Sequence, residues 1–140
     1  MIKYGLLIFL LLAVAPVFGQ IPSTQLTDGA FNGRWWQEHS DLMQRYSYLA
    51  GLLDGLSAAQ PESKLYDLVA PKGLTYGEIA KAIDAVYQEP LNCRIPIMAV
   101  LQIVKAKAEG GAPEAIDGLT RIWRKGYAEV KAVSPEVMKQ

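Results

Sequence analysis

The chain has 140 residues, of which 51% are hydrophobic, and its 14 basic side chains balance its 14 acidic ones to a net charge of zero at pH 7. This length fits one domain, and near-neutrality without a basic stripe argues against electrostatic binding of nucleic acid or anionic lipid. A single cysteine, Cys93, excludes an internal disulfide, so its thiol is either a small buried group or the site of a bridge between two molecules.

The N-terminal segment has the three parts of a secretory signal peptide. Lys3 provides a positive charge, residues 5–15 are almost continuously apolar, and Val17 and Gly19 are small enough for the recognition positions of signal peptidase. The apolar run is shorter than the roughly 20 residues that a membrane-spanning helix needs. We therefore expect residues 1–19 to be a cleaved signal peptide, with an uncleaved anchor as the alternative, and the protein to be periplasmic or secreted.

The rest of the sequence predicts an all-α fold. Polar and turn-forming residues over 20–30 indicate a flexible leader, residues 31–133 a helical domain, and residues 134–140 a short tail. The domain is expected to open with a short helical turn that carries Trp35 and Trp36.

Four principal helices follow this turn, and each has a start signal or an apolar stripe of its own. The first has apolar residues at alternating spacings of three and four, and the second has the Thr75–Glu78 pattern of a capping box. Proline at a first helical position marks the third and fourth. Short loops between the helices favour a compact bundle. We recognise no Asp-Gly turn between strand-like runs and expect no sheet. The four helices begin, in order, near Leu42, at Thr75, at Pro96 and at Pro113.

Two glycines and an aspartate lie on successive turns of the first long helix, at Gly51, Asp54 and Gly55. A glycine inside a helix costs about 1 kcal/mol relative to alanine, so close approach of another helix or ring would compensate for it. We interpret the strip as a tight intramolecular helix crossing, with docking of a partner or ligand as the alternative. Asp54 would then cap a neighbouring helix or pair with a cation such as Arg94.

The aromatic residues suggest where the core lies. Trp35 and Trp36 are adjacent, so on a helix their side chains point about 100° apart. Either one ring is buried and the other is a partly exposed anchor for a partner, or the short helix lies flat in a groove and both rings are covered. Trp123 and Tyr127, four residues apart, are expected to face the core.

The sequence offers no recognisable catalytic or metal-binding pattern. His39 is the only histidine and is expected to be solvated. A cysteine nucleophile with a histidine base also needs a third residue that orients the histidine, and the sequence marks no such partner for His39 and Cys93. One histidine and one cysteine do not supply a zinc site, and the phosphate-binding glycine loop is missing. We expect no enzyme activity, no metal and no cofactor.

Several short motifs follow one another in a recognisable order. A Gly-x-Trp start (33-GRW-35) precedes Tyr-x-x-Gly-x-x-Asp (48-YLAGLLD-54) and a Pro-x-Gly-x-Thr helix start (71-PKGLT-75), and 94-RIPIMAVL-101 comes later. Over about residues 31–108 this order resembles the Rap/Tai family of small exported helical proteins. Characterised members are immunity proteins that bind and block type VI secretion amidases in the periplasm. The chain departs from the family in lacking its usual paired cysteines and in having an added helix over residues 111–133.

Two functions fit these patterns. The first is binding of an envelope or secreted protein, with immunity-type inhibition of a cell-wall amidase as the form that the resemblance implies. The second is transport of a small ligand in a cavity between helices, lined by Tyr46, Tyr48, Met98 and Trp123. Either function is compatible with a homodimer. The candidate contact residues for protein binding are Trp35, Trp36, Tyr48, Gly51, Asp54 and Gly55.

Overall fold

The computed structural model describes residues 23–59 and 64–128. The predicted signal peptide and the predicted tail lie outside these ranges. Within them the chain is mostly helical, and four of its helices are long, which confirms the predicted all-α fold with four principal helices and a short N-terminal helical turn. The helices are α1 (Gly33–Glu38), α2 (Leu42–Ala59), α3 (Leu65–Val69), α4 (Tyr76–Tyr87), α5 (Ile97–Ala108) and α6 (Pro113–Ala128).

Local hydrogen bonds explain where two of these helices begin. The Asn32 side-chain oxygen accepts from the backbone N–H of Arg34 at 3.0 Å and of Trp35 at 3.4 Å, so it caps α1. Thr75 and Glu78 form the predicted capping box, because the Glu78 carboxylate accepts from the Thr75 N–H at 2.8 Å while the Thr75 hydroxyl accepts from the Glu78 N–H at 3.3 Å. These caps satisfy amide groups that the first helical turn leaves without partners.

A two-stranded hairpin precedes α1. Strands β1 (Leu26–Thr27) and β2 (Ala30–Phe31) pair antiparallel. Asp28 and Gly29 between them have φ angles of 51° and 79°, the left-handed values that the commonest two-residue hairpin turn requires. The expectation of no sheet is therefore wrong at this point, and the part of the predicted leader that the structure describes is folded.

Helices α4 and α5 form the centre of the bundle. Helix α4 packs against α2 and α5, while α5 also contacts α3 and α6. Ile83 on α4 and Val100 and Leu101 on α5 are fully buried. Helix α6 has no fully buried residue, but Trp123 and Tyr127 are half-buried against the core with their ring centres 5.8 Å apart, which confirms the predicted direction of both side chains.

None of the described helices, within residues 23–59 and 64–128, combines the length and the apolar character that crossing a bilayer would require.

Candidate interaction site

Trp36 is fully buried and is held by a charged pair. Its indole N–H donates to Asp84 Oδ1 at 2.8 Å, and the Arg45 guanidinium carbon lies 4.8 Å from the centre of its ring. Arg45 donates to the Trp36 carbonyl oxygen at 2.7 Å and to Asp84 Oδ1 at 3.0 Å. A third bond runs from Arg45 Nε to the His39 carbonyl oxygen at 2.7 Å. The buried guanidinium therefore has both a counter-ion and backbone acceptors, as a buried charge requires.

Trp35 lies in a stack of aromatic rings. Its ring centre is 4.4 Å from that of Phe31 and 4.5 Å from that of His39, and both pairs are nearly parallel. Only 8% of Trp35 is exposed. Both tryptophans are thus covered, so the alternative in which one is an exposed anchor is wrong. His39 is half-buried rather than solvated, because its ring covers Trp35 and its Nδ1 lies 2.8 Å from the Trp35 carbonyl oxygen.

Tyr48 extends this stack towards the surface of α2. Its ring centre lies 4.9 Å from that of Trp35 and 5.5 Å from that of Phe31. Burial raises the pKa of the Tyr48 hydroxyl from 10.0 to about 12, because the phenolate would lose hydration there. Tyr48 thus acts as a half-buried aromatic contact whose surroundings favour the neutral hydroxyl.

Gly51 and Gly55 face away from the body of the protein. A Cβ built on either residue has no atom of the described residues within 4 Å, apart from the helix's own neighbouring backbone. The interpretation of the strip as a tight intramolecular crossing is therefore wrong. The physical reason is that α2 buries Arg45, Leu49 and Leu53 on its opposite side.

Asp54 is exposed as well. The ion pairs found among the described residues are Arg45–Asp84, Lys72–Asp67 and Lys105–Glu109, so the predicted pairing of Asp54 with Arg94 does not form. Arg94 lies instead beside the hairpin, where its carbonyl oxygen accepts from the Thr27 hydroxyl at 2.8 Å. The six predicted contact residues therefore separate into a buried pair (Trp35 and Trp36), a half-buried one (Tyr48) and three in solvent.

The three exposed residues belong to a continuous surface of α2. Residues three and four apart share one side of a helix, and Gln44, Ser47 and Ala58 are also exposed along this side. We call this surface the α2 outer face. It consists of Gln44, Ser47, Gly51, Asp54, Gly55 and Ala58.

Charge is sparse on this helix. Of the residues of α2 that are exposed, only Asp54 is charged, because Arg45 is buried. The exposed residues of α6, by contrast, include Glu114, Asp117, Arg121 and Lys125. The α2 outer face thus has mostly small side chains and little charge, and Tyr48 lies at its border.

Sequence reasoning missed Arg45 and Asp84. The available signal was spacing, since Arg45 precedes Leu49 and Leu53 by four and eight residues and so belongs to the buried stripe. Leu42, near which the sequence predicts the start of this helix, is 55% exposed and does not belong to the buried stripe. No pattern in the sequence around Asp84 identifies it as the counter-ion of Arg45.

None of the four predicted ligand-lining residues lines the cavity that the described residues form between α2, α3 and α4. Met98 is exposed, Trp123 lies on α6, and Tyr48 belongs to the aromatic stack. This cavity has a volume of about 380 Å³ and is lined by other residues. These are Leu53, Tyr66, Ala70, Pro71, Leu74, Thr75, Tyr76 and Ile79.

The sequence predicts no metal site, and Cys93 is predicted to be either a small buried thiol or a bridge between two molecules. In the part of the chain that the structure describes, no three histidine, cysteine or acidic side chains converge closely enough to hold a metal ion. Cys93 is a half-buried free thiol.

No family model, curated protein or solved structure matches this chain. The resemblance to the Rap/Tai family stays a prediction that depends on the motifs. Of the central motif, Tyr48 is half-buried against the core, whereas Gly51 and Asp54 are presented to solvent.

Proposed function

We propose that this chain is an exported, non-enzymatic helical protein that binds another protein through the α2 outer face. The observation that supports the proposal is the scarcity of charge on the exposed side of the longest helix, with Asp54 alone among neutral and small residues. Cores of protein interfaces are similarly depleted of charged side chains.

The two glycines support the same surface. Each costs about 1 kcal/mol inside a helix, and neither makes a contact with the described residues that would offset this cost. With no side chain at Gly51 or Gly55, a partner can approach the backbone of α2 directly. Asp54 would then need a cation opposite, because an unpaired carboxylate buried in an interface is costly. We therefore expect a partner with a narrow ridge that carries lysine or arginine.

Immunity-type inhibition of a cell-wall amidase is the specific form of this proposal. It depends on the motif resemblance and on the predicted signal peptide, which together support export to the compartment of cell-wall enzymes. The partner would be an amidase, and binding would block its active site. The expected compartment is the periplasm or the exterior of the cell.

The experiment introduces a bulky, positively charged side chain at two positions of the α2 outer face. Wild-type protein, Gly51→Arg and Gly55→Arg are tagged and used to capture partners from crosslinked envelope extract. Gly126→Arg is the matched control, because Gly126 is an exposed helical glycine of α6 whose Cβ would also have no atom of residues 23–59 and 64–128 within 4 Å. Circular dichroism and thermal unfolding establish that all variants remain folded.

We expect wild type and Gly126→Arg to retain one stoichiometric partner and the two α2 variants to lose it by about tenfold or more, since a central interface change disrupts packing. Inhibition of purified partner by wild-type protein in a peptidoglycan amidase assay would support the immunity form. Equal capture by all four proteins would overturn the α2 outer face as the binding surface. A captured partner without amidase activity would overturn only the specific form.

Transport of a small ligand has one observation in its favour. The cavity between α2, α3 and α4 reaches the size of small-molecule pockets, which begin near roughly 300 Å³. Its walls are mostly apolar and include Tyr66 and Tyr76. Native mass spectrometry tests this alternative. A bound mass that Leu74→Arg removes would favour transport, and an empty wild-type protein would contradict it.

A further inference from the structure

A second cavity, of about 220 Å³, lies where the hairpin, the start of α1 and the loop before α5 meet. It is separate from the α2 outer face. Its volume is below that of a drug-sized pocket, so it suits a small molecule or a single functional group. The described residues that line it are Ser23, Thr24, Leu26, Asn32, Arg34 and Arg94.

Buried hydrogen bonds hold the walls of this cavity in place. Asn32 is 1% exposed, and its side-chain N–H₂ donates to the Thr24 carbonyl oxygen at 3.0 Å and to the Thr27 hydroxyl at 3.1 Å. The Thr27 hydroxyl in turn donates to the Arg94 carbonyl oxygen. The backbone N–H of Gly33 donates to the Cys93 carbonyl oxygen at 2.9 Å. The three segments are therefore joined before any ligand arrives, which lowers the entropy cost of binding.

The charge of the lining is entirely positive. Arg34 and Arg94 are the charged residues among the described lining, and neither belongs to an ion pair found in residues 23–59 and 64–128. Ser23 and Thr24 add hydroxyl groups that can donate to oxygen. Guanidinium groups bind carboxylate and phosphate oxygens in pairs of parallel hydrogen bonds, and these are among the stronger hydrogen bonds in proteins.

We propose that this cavity binds the carboxylate or phosphate group of a small molecule between Arg34 and Arg94. Asn32 positions the site by fixing the hairpin against α1, while its own polar atoms stay occupied. The bound anion would neutralise two like charges that otherwise face one opening.

Isothermal titration calorimetry of the purified protein tests the proposal with three probes: citrate, inorganic phosphate and chloride. Arg34→Gln and Arg94→Gln remove one guanidinium each, and Arg94→Lys keeps the charge but loses the paired geometry. Arg121→Gln is the control, because Arg121 is an exposed arginine on α6, outside this cavity. Thermal unfolding of each variant without anion verifies the fold.

We expect citrate or phosphate to bind, chloride not to compete at equal ionic strength, and each glutamine variant to weaken binding by about tenfold, with a smaller loss for Arg94→Lys. A preference between citrate and phosphate identifies the carboxylate or the phosphate as the favoured group. Absence of binding by both probes, or an equal loss in Arg121→Gln, would overturn the proposal. Because the α2 outer face is not involved, the glutamine variants should retain the protein partner, so the two proposals fail independently.

Discussion

Gly33 lies against the ring of Tyr87 with no room for a methyl group between them. A Cβ built on Gly33 would be 2.5 Å from Tyr87 Cδ1 and 2.6 Å from Cε1. The ring is 1% exposed, and its hydroxyl donates to the Ile95 carbonyl oxygen at 2.8 Å, so it is fixed at both ends. This contact sets the distance between α4 and the short helix that carries both tryptophans.

Gly33→Ala should therefore destabilise the protein. The added methyl must displace either a buried ring or the backbone of α1, and overpacking of this kind costs about 1–3 kcal/mol. Urea unfolding followed by tryptophan fluorescence measures the change, because Trp35 and Trp36 lie on the displaced helix. A free energy of unfolding equal to that of wild type would contradict the contact.

Gly51→Ala and Gly55→Ala should have the opposite effect. Both positions are inside α2, and the part of the chain that the structure describes leaves open space at each Cβ, so alanine adds helix propensity without a clash. Each substitution should raise the free energy of unfolding by about 0.5–1 kcal/mol. The same urea titration measures it. A loss of stability in either variant would mean that another part of the molecule covers the α2 outer face.

Much of the fold could be predicted because its signals are local. The Thr75–Glu78 capping box, Pro96 at the N-cap of α5 and Pro113 at the first residue of α6 act within one helical turn. The structure has helices where these signals predict them. The hairpin was missed because strands of two residues are too short for an alternating pattern. Its one clear signal was the Asp28–Gly29 pair, which supplies two left-handed backbone angles.

The candidate site was harder to predict, because the side of α2 that becomes buried depends on distant residues. Arg45 can face inward only because Asp84, on α4, supplies its counter-ion. With Arg45 inside, Leu49 and Leu53 face the core and the glycines face solvent. Sequence periodicity detects a stripe but not the residues that will cover it.

Removal of the Arg45 guanidinium should destabilise the protein more than its replacement by an amine. Arg45→Ala leaves the Trp36 carbonyl oxygen and the Asp84 carboxylate without their donor. We expect a loss of about 2–4 kcal/mol, below the largest values for buried pairs because Asp84 is partly exposed. Arg45→Lys should lose less, since it keeps the charge but not three separate hydrogen bonds.

Chemical denaturation gives these free energies, with Arg121→Ala as a surface control that should stay within about 0.5 kcal/mol of wild type. A loss in Arg45→Ala as small as that of the control would mean that the network contributes little to stability.

Ionisation of Tyr48 should weaken the fold at alkaline pH. Burial raises the pKa of this hydroxyl from 10.0 to about 12, so the folded protein favours the neutral form more than the unfolded chain does. The contribution of Tyr48 to stability is thus complete below pH 10, where the hydroxyl is neutral in both states, and it is lost as pH rises towards 12.

Tyr48→Phe removes this ionisation, so its free energy of unfolding should fall less steeply than that of wild type between pH 10 and pH 12. Unfolding is measured in steps of pH across this range, and phenolate absorbance is recorded in parallel. Tyr66→Phe, a change on α3 at a more exposed ring, controls for loss of a hydroxyl as such. The wild-type minus Tyr48→Phe absorbance should have its midpoint near pH 12. A midpoint near pH 10 would mean that the Tyr48 hydroxyl is hydrated, and would contradict its place in the half-buried aromatic stack.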